Sequence, residues 1–178
     1  IADNTCSTPA ASTVTINAVP TAPSVPTVAS TTQPTCAVGT GTIVFTAQAG
    51  VEYSVNNGTT YQASPTFAGL APGTYTLTVR SIADNTCSTV AASTVTIDAV
   101  PTAPAVPTVA STVQPTCAVP TGTITFTAQA GVEYSVGSGY QASPIFANLA
   151  PGTYTLTVRS IADNTCSTPA ASTVTINA

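Results

Sequence analysis

Residues 70–89 read Leu-Ala-Pro-Gly-Thr-Tyr-Thr-Leu-Thr-Val-Arg-Ser-Ile-Ala-Asp-Asn-Thr-Cys-Ser-Thr, and the same run returns letter for letter at 149–168. The C-terminal part of this run, from Ile-Ala-Asp to Ser-Thr, is also found at the start of the chain. Its cysteine therefore recurs at intervals of 81 and 79 residues, at Cys6, Cys87 and Cys166. A period of this length is too long for one turn of a solenoid and fits one small β-domain.

The period divides the chain into three parts. We predict that 1–18 is the C-terminal strand region of a truncated preceding repeat, that 19–99 is a first whole repeat, and that 100–178 is a second. Both ends fall inside the repeat, so we expect a fragment of a longer array. Each repeat is near the lower size limit at which a hydrophobic core alone stabilises a domain, which favours an additional covalent cross-link.

Alternation of apolar residues with threonine predicts strands at 42–46, 51–55, 74–79 and 94–97. Inward positions recur in both repeats, whereas the residues predicted to face solvent differ, as at Val44/Thr125 and Thr66/Ile145. In the third of these strands we expect three threonines to point outward, Thr74, Thr76 and Thr78. About seven short strands per repeat are typical of an immunoglobulin-like sandwich. The predicted fold is therefore all-β, with tandem Ig-like (Greek-key) β-sandwiches in a linear array.

Each repeat begins with a proline-rich segment, at 19–27 and 100–108, in which every third residue is proline. Polyproline II has three residues per turn, so the rings fall on one edge of an extended, semi-rigid segment. We interpret these segments as spacers. The alternatives are an edge strand that carries prolines and a ligand for a proline-binding domain.

Cysteines occupy fixed positions in the repeat, an early one (Cys36 or Cys117) and a late one (Cys87 or Cys166). Paired cysteines in small β-domains without histidine indicate disulfides and an oxidising compartment. We expect Cys6 to be unpaired because its repeat is truncated.

The pairing of these cysteines stays open from the sequence. Closing the loop Cys36–Cys87 or the loop Cys87–Cys117 stabilises by about 4 kcal/mol in either case. If 28–31 is the first strand, Cys36 lies at the opposite pole from Cys87, and a bond to Cys166 across the junction becomes possible. We favour Cys36–Cys87 and Cys117–Cys166, which make each repeat complete in itself.

Tyr75 follows Leu-Ala-Pro-Gly-Thr at the corner before the penultimate strand, and Tyr154 repeats this. A tyrosine at such a corner hydrogen-bonds the backbone upstream in Greek-key sandwiches. We predict that structural role for both.

Each repeat has one Glu and one Arg, at Glu52 and Arg80 and again at Glu133 and Arg159. Both side chains point outward from strands that neighbour each other in an Ig-like sheet. We predict a cross-strand ion pair of up to about 1 kcal/mol. A pair between Arg80 and Asp84 is the alternative.

The composition argues against several classes of function. The chain has no Lys or His, and charged residues make up 4% of it, with a net charge of −4. We therefore expect no enzyme activity, no cofactor, no binding of nucleic acid and no membrane insertion. Asp84-Asn85 and Asp163-Asn164 suggest Asx turns rather than a Ca²⁺ site, since too few carboxylates converge.

A set of residues recurs at fixed spacing in both repeats, in the first as Cys36, Gly41, Ile43, Phe67, Leu70, Gly73, Tyr75, Val79, Asp84, Cys87, Val95 and Ile97. Their spacing resembles that in repeats of SprB-like gliding-motility adhesins, giant surface proteins that Bacteroidota export by type IX secretion. The family usually has Gly where Thr86 and Thr165 stand. The resemblance implies a cell-surface filament used in adhesion and gliding.

We therefore expect a structural module in the shaft of a long adhesin or filament on the bacterial cell surface. Its expected partners are neighbouring repeats of the same chain, with surface polysaccharide or other adhesin chains as further candidates. The alternative is a multivalent module that binds a glycan or a surface weakly, with avidity from copy number. Tyr61 and Tyr140 are the aromatic residues that would serve it.

Overall fold

The computed structural model describes Ser12 and residues 14–178, and these residues confirm the prediction of an all-β chain. Cys6 and most of the strand region predicted at 1–18 lie outside the described residues. The first repeat contains β1 (Val28–Thr32), β2 (Gly41–Phe45), β3 (Val51–Ser54), β4 (Thr66–Leu70), β5 (Gly73–Tyr75), β6 (Thr78–Ser81), β7 (Ser88–Val90) and β8 (Val95–Ile97). The second contains β9 (Val109–Val113), β10 (Gly122–Phe126), β11 (Val132–Ser135), β12 (Ile145–Leu149), β13 (Gly152–Tyr154), β14 (Thr157–Ser160), β15 (Ser167–Pro169) and β16 (Val174–Ile176). A search for membrane-spanning helices within the described part of the chain finds none.

The strands of each repeat form three small antiparallel sheets with the same order. In the first repeat the orders are β1-β2-β4, β3-β6-β7 and β5-β8. The second repeat reproduces them as β9-β10-β12, β11-β14-β15 and β13-β16. The pairings among these named strands are all antiparallel. The sequence repeat is therefore also a repeat of topology.

Each repeat buries its own hydrophobic core. The first consists of Ile43, Phe45, Val51, Tyr53, Val55, Leu77, Val79 and Ile97. The second consists of Ile124, Phe126, Val132, Tyr134, Val136, Leu156, Val158 and Ile176. The two clusters share no residue. Most of the residues that alternation predicts to be inward are buried, whereas Tyr75 and Val95 are half-buried and pack against the core. Strand periodicity in the sequence therefore identifies the core correctly.

The strand predicted at 74–79 is divided in the structure. β5 pairs with β8, whereas β6 pairs with β3 and β7 in a different sheet. The chain changes partners across Thr76 and Leu77, and the Ala91 N–H donates to the Leu77 carbonyl at 2.9 Å. This change of sheet gives eight short strands per repeat instead of about seven.

The threonines of this segment do not all face solvent as predicted, because Thr78 is only 3% exposed. The turn after β3 folds back against the strand, and the Asn57 N–H donates to the Thr76 carbonyl at 3.1 Å. In the second repeat this turn is two residues shorter, and the equivalent Thr157 is only half-buried. Turn length therefore decides how much of this face is covered.

Replacing Thr78 with Val is expected to stabilise the first repeat by about 1 kcal/mol. The Thr78 hydroxyl is buried and has no hydrogen-bond partner among the described residues, and a buried hydroxyl without a partner loses its hydration without compensation. The free energy of unfolding in urea measures the effect. Thr157→Val, at the half-buried equivalent, is the matched control and should change stability by less than about 0.5 kcal/mol. A clear loss of stability in Thr78→Val would show that the hydroxyl is hydrogen-bonded.

The proline-rich segment predicted as a spacer at 19–27 packs against its own repeat. The Thr89 hydroxyl, on the edge strand β7, donates to the Pro23 carbonyl at 2.8 Å, and Pro26 is buried. The second repeat has the same arrangement, with a 2.7 Å bond from Thr168 to Pro104 and with Pro107 buried. The prolines therefore run beside β7 and β15, and they are not free linkers between repeats.

Candidate functional site: the junction between the repeats

A disulfide joins the two repeats, between Cys36 of the first and Cys166 of the second. Their Cα atoms are 5.1 Å apart although 130 positions separate them in the sequence. The favoured pairing, Cys36–Cys87 with Cys117–Cys166, is therefore wrong, and the alternative across the junction is the one that forms. Among the described cysteines, Cys87 and Cys117 are unbonded.

The first strand explains why the favoured pairing fails. β1 precedes Cys36 and pairs with β2, so the early cysteine lies at the far end of its repeat. The Cys36 sulfur is 3.2 Å from the Pro101 carbonyl, at the start of the second repeat. The Cys87 sulfur is instead 4.0 Å from the Pro20 carbonyl, at the start of its own repeat. The early-cysteine pole and the late-cysteine pole are thus opposite ends of one repeat.

Two hydrogen bonds accompany the disulfide across the junction. The Cys36 N–H donates to Asp163 Oδ2 at 3.0 Å, and the Ala37 N–H donates to Thr165 Oγ1 at 3.3 Å. Asp163 Oδ1 is held by the Thr165 N–H at 2.9 Å and by the Thr165 hydroxyl at 2.7 Å. This is the predicted Asx-turn chemistry, and the same turn presents its second oxygen to the neighbouring repeat.

The junction lowers the pKa of Asp163. Hydrogen bonds from the Thr165 hydroxyl, from the Thr165 N–H and from the Cys36 N–H favour the charged carboxylate and hold its pKa below 3.8. The pKa of Asp84 is also lowered, chiefly by the hydroxyl and N–H of Thr86. Only Asp163 has the contribution from the neighbouring repeat.

Acid is expected to weaken the junction. Because the pKa of folded Asp163 is depressed, its contribution to stability is complete above the unfolded value of 3.8 and is lost as pH falls through the folded pKa. We expect the free energy of unfolding to fall below about pH 4. Asp163→Asn should flatten this pH dependence more than Asp84→Asn, its matched control without a junction bond. Equal flattening in both variants would contradict a role for the Cys36–Asp163 bond.

The junction also brings together a group of potential metal ligands, Cys36, Asp163 and Cys166, whose ligand atoms lie within 4.8 Å of one another. The two sulfurs are bonded to each other and are not thiolates, so the group offers one carboxylate. Its chemistry is that of a structural crosslink.

The predicted cross-strand ion pair lies on the outer face of each repeat. Glu52 and Arg80 are directly opposite in the β3–β6 ladder, and Arg80 Nη2 is 2.7 Å from Glu52 Oε2. The Arg80 guanidinium also lies over the Tyr61 ring, 4.1 Å from its centre. The second repeat reproduces both contacts, at 2.8 Å between Arg159 and Glu133 and at 4.0 Å between Arg159 and Tyr140. Arg80 thus pairs with Glu52, not with Asp84, and such a partly exposed pair contributes at most about 1 kcal/mol.

The corner tyrosines make the backbone bond that the sequence predicts. The Tyr75 hydroxyl donates to the Ala71 carbonyl at 2.7 Å, and Tyr154 donates to Ala150 at the same distance. Each bond fixes the corner that leads into β5 or β13.

Sequence reasoning missed the glutamine that closes the early-cysteine pole. Gln33 Nε2 donates to the Thr96 carbonyl at 3.1 Å, and its Oε1 accepts from the Asp98 N–H at 2.8 Å. Gln114 makes the same two bonds in the second repeat. In both repeats this glutamine stands three residues before the early cysteine, and this recurrence could have indicated a structural role.

A non-reducing tryptic map is expected to separate the two disulfide patterns. Trypsin can cut after Arg80 and Arg159 only, giving 1–80, 81–159 and 160–178. With Cys36 bonded to Cys166, the first and third pieces stay joined until reduction and the middle piece is released. Alkylation of thiols before denaturation is the control against exchange. All three pieces joined together would instead indicate a disulfide inside each repeat.

No protein-family model matches this chain, and no curated protein matches it.

Proposed function

We propose that the chain is a structural module in the shaft of a long extracellular adhesin or filament on the bacterial cell surface, used in adhesion and surface gliding as the SprB-like resemblance implies. The observation that carries this proposal is the covalent junction. One repeat is tied to the next by the bond between Cys36 and Cys166. An oxidising, extracellular location suits such a bond.

We assign each repeat to the Ig-like, Greek-key class within this proposal. The chain crosses from β2 to β3 in a second sheet and returns to β4 beside β2, as strands B, C and E do in such sandwiches. The corner bond of Tyr75 supports the same assignment. Charged residues make up only 4% of the chain, and each repeat has its own core. Both features suit a repeated load-bearing unit better than a catalytic one.

The junction restricts the two repeats at several points at once. The disulfide is the first restraint, and the hydrogen bonds to Asp163 and Thr165 are the second. The third is the backbone itself, which continues directly from β8 into Pro101, just after Gln33 has bonded the Asp98 N–H. A shaft needs its modules held in a fixed relation so that tension and bending pass from one to the next. This geometry supplies such a connection.

Small-angle X-ray scattering of the oxidised chain tests the proposal. We expect a distribution of pair distances typical of one rigid arrangement of the repeats. It should broaden in Cys36→Ser, because the backbone is then the single covalent connection and only the hydrogen bonds to Asp163 and Thr165 oppose pivoting. Cys117→Ser, which removes an unbonded cysteine at the equivalent position, is the matched control and should leave the distribution unchanged. Equally broad distributions in all three proteins would reject a shaft.

A multivalent binding module is the second candidate, and one surface feature favours it. Tyr61 and Tyr140 recur at the same place in both repeats, each beside an arginine, and Tyr140 is 37% exposed. Aromatic–arginine surfaces are common at binding sites. Polysaccharide binding that is lost in the double variant Tyr61→Ala/Tyr140→Ala, with the fold retained, would support this candidate. Each guanidinium already covers one face of its ring, which leaves little aromatic surface for a sugar.

A further inference from the structure

We propose that the unbonded Cys117 and Cys87 are the two halves of a second junction, so that another repeat docks on each end of this chain through the same disulfide. The partner is a repeat of this same sequence, which a second copy of the chain supplies in solution. Cys117 of one copy bonds Cys87 of the next, and the contact propagates head to tail. This inference extends the proposed shaft by naming its partner and the bond that holds it.

The internal junction provides the template. There an early cysteine, Cys36, bonds the late cysteine of the following repeat, Cys166. Cys117 is the early cysteine of the second repeat, and Cys87 is the late cysteine of the first. Neither is bonded to another of the described cysteines. Each unbonded thiol is thus the equivalent of a bonded one.

Burial at the early-cysteine pole shows what the docked repeat covers. In the first repeat, Pro34 is buried and Cys36 is half-buried beneath the second repeat. At the equivalent positions of the second repeat, Pro115 is only half-buried and Cys117 is exposed. The bare pole therefore presents a surface that its counterpart conceals.

This bare pole forms an open groove of about 460 Å³, lined by Pro115, Thr116, Cys117, Pro120, Pro151 and Ala178. Its lining is largely apolar and carries no charged side chain, which suits burial by a protein surface. At the equivalent place in the first repeat, Val100 of the following repeat sits beside Gly39, 3.6 Å from where a Cβ would stand. Pro120 is the equivalent of Gly39 in the second repeat. Its side chain can therefore contact the docked repeat without a steric clash.

The late-cysteine pole carries the complementary polar groups. Asp84 Oδ1 accepts from the Thr86 N–H at 2.9 Å and from the Thr86 hydroxyl at 2.7 Å, as Asp163 Oδ1 does from Thr165. Among the residues that the structure describes, the partner of Asp84 Oδ2 is the distant Cys87 sulfur, at 3.7 Å. The equivalent oxygen of Asp163 accepts the Cys36 N–H. The acceptor for an incoming early cysteine is therefore in place and unused.

Formation of the bond requires an oxidant, for which we name a small-molecule disulfide such as oxidised glutathione. The Cys117 thiolate attacks one sulfur of this disulfide, forming a mixed disulfide and releasing one glutathione thiolate. The Cys87 thiolate of the next copy then attacks the Cys117 sulfur and releases the second glutathione. Two protein thiols lose two protons and two electrons, and one small disulfide becomes two thiols.

The test is a non-reducing gel of the full chain at high concentration in a glutathione redox buffer, with Cys6→Ser in every sample. The parent should form a ladder of multimers that reduction abolishes. Cys87→Ser alone and Cys117→Ser alone should remain monomers, and their mixture should stop at dimers. Dimers in either single variant would indicate symmetric, unspecific pairing and overturn the proposal, as would a parent that remains monomeric.

A second variant separates docking from random thiol chemistry. Asp84→Asn should lower the equilibrium yield of the Cys117–Cys87 bond about fivefold, because a charge-assisted hydrogen bond is weakened. Asp163→Asn is the matched control and should leave that yield unchanged, and an equal effect of both substitutions would overturn the proposal. The scattering experiment on the internal junction is independent of this one. Rigid monomers without a ladder reject only this inference, and a ladder of flexible units rejects only the shaft.

Discussion

Stretching the oxidised chain between its ends is expected to release almost none of the length between Cys36 and Cys166, and reduction is expected to release all of it. The disulfide bypasses 130 positions of sequence. In the oxidised chain, tension enters through β1, crosses the sulfur bridge and leaves through β15 and β16. Most of both cores lies within the bypassed loop and is not stretched.

The expected difference is large. A fully extended residue spans about 3.3–3.6 Å, so the hidden segment corresponds to about 430–470 Å of chain. Because the two Cα atoms are only 5.1 Å apart in the folded protein, nearly the whole of this length appears as new extension. Single-molecule force spectroscopy with handles at both termini measures it. We expect the reduced chain to release it in two steps, one for each hydrophobic core.

Cys36→Ser should behave without reductant as the reduced parent does, and Cys117→Ser should behave as the oxidised parent does. The second variant is a matched control because it removes the equivalent cysteine of the other repeat, which is unbonded. If the oxidised and reduced chains released the same length, the bond between Cys36 and Cys166 would be absent in solution. The tryptic map would then identify the pairing that replaces it.

The same arithmetic describes an array in which every junction is bridged. The late cysteine of one repeat and the early cysteine of the next are 30 positions apart, as Cys87 and Cys117 are. Tension could therefore pass through a disulfide to the late cysteine of the next repeat, then along the backbone to the following early cysteine, and so on. On this route about 30 residues of backbone that no disulfide bypasses carry the load for every two repeats. Even if its modules unfolded, such a shaft would extend by only a small part of its contour length, because the disulfides bypass most of the chain. Disulfides within each repeat would leave the linking segments to carry the load.

Alternation and repetition in the sequence were sufficient to predict β2, β3 and β8 and most of the core, because these features depend on local periodicity. Ile43, Phe45 and Tyr53 are inward in the sequence pattern and buried in the structure. The Glu52–Arg80 pair followed from the strands that neighbour each other in an Ig-like sheet. These features need only the strand period and the order of strands.

The disulfide could not be predicted in the same way, because it depends on which pole each cysteine occupies. That in turn depends on whether 28–32 is a strand, and its sequence, Val-Ala-Ser-Thr-Thr, has weak alternation. The burial of Thr78 depends on how a turn folds back over the sheet, which is a tertiary property. The contacts of the proline-rich segment could not be read from the sequence for the same reason, since the Thr89 hydroxyl that donates to the Pro23 carbonyl is 66 positions away.

Replacing Phe45 with Ala is expected to open the first repeat and leave the second folded. Phe45 is 2% exposed, and its ring centre lies 5.0 Å from that of Tyr53 and 5.6 Å from that of Phe67. Removing a buried Phe costs about 3–5 kcal/mol. A domain of this size has a total stability of roughly 4–12 kcal/mol, so the variant loses a large part of it.

The two arginines report this effect, because Arg80 lies in β6 of the first repeat and Arg159 lies in β14 of the second. In limited native proteolysis, cleavage after Arg80 should accelerate by roughly 10²- to 4 × 10³-fold in Phe45→Ala, since 1.4 kcal/mol corresponds to tenfold in the open population. Cleavage after Arg159 should keep the parent rate. Phe126→Ala, whose ring has the same neighbours at 5.0 and 5.6 Å, should give the opposite pattern. Acceleration at both sites in either variant would mean that the disulfide-linked repeats unfold as one unit, because two cores without a shared residue should otherwise respond independently.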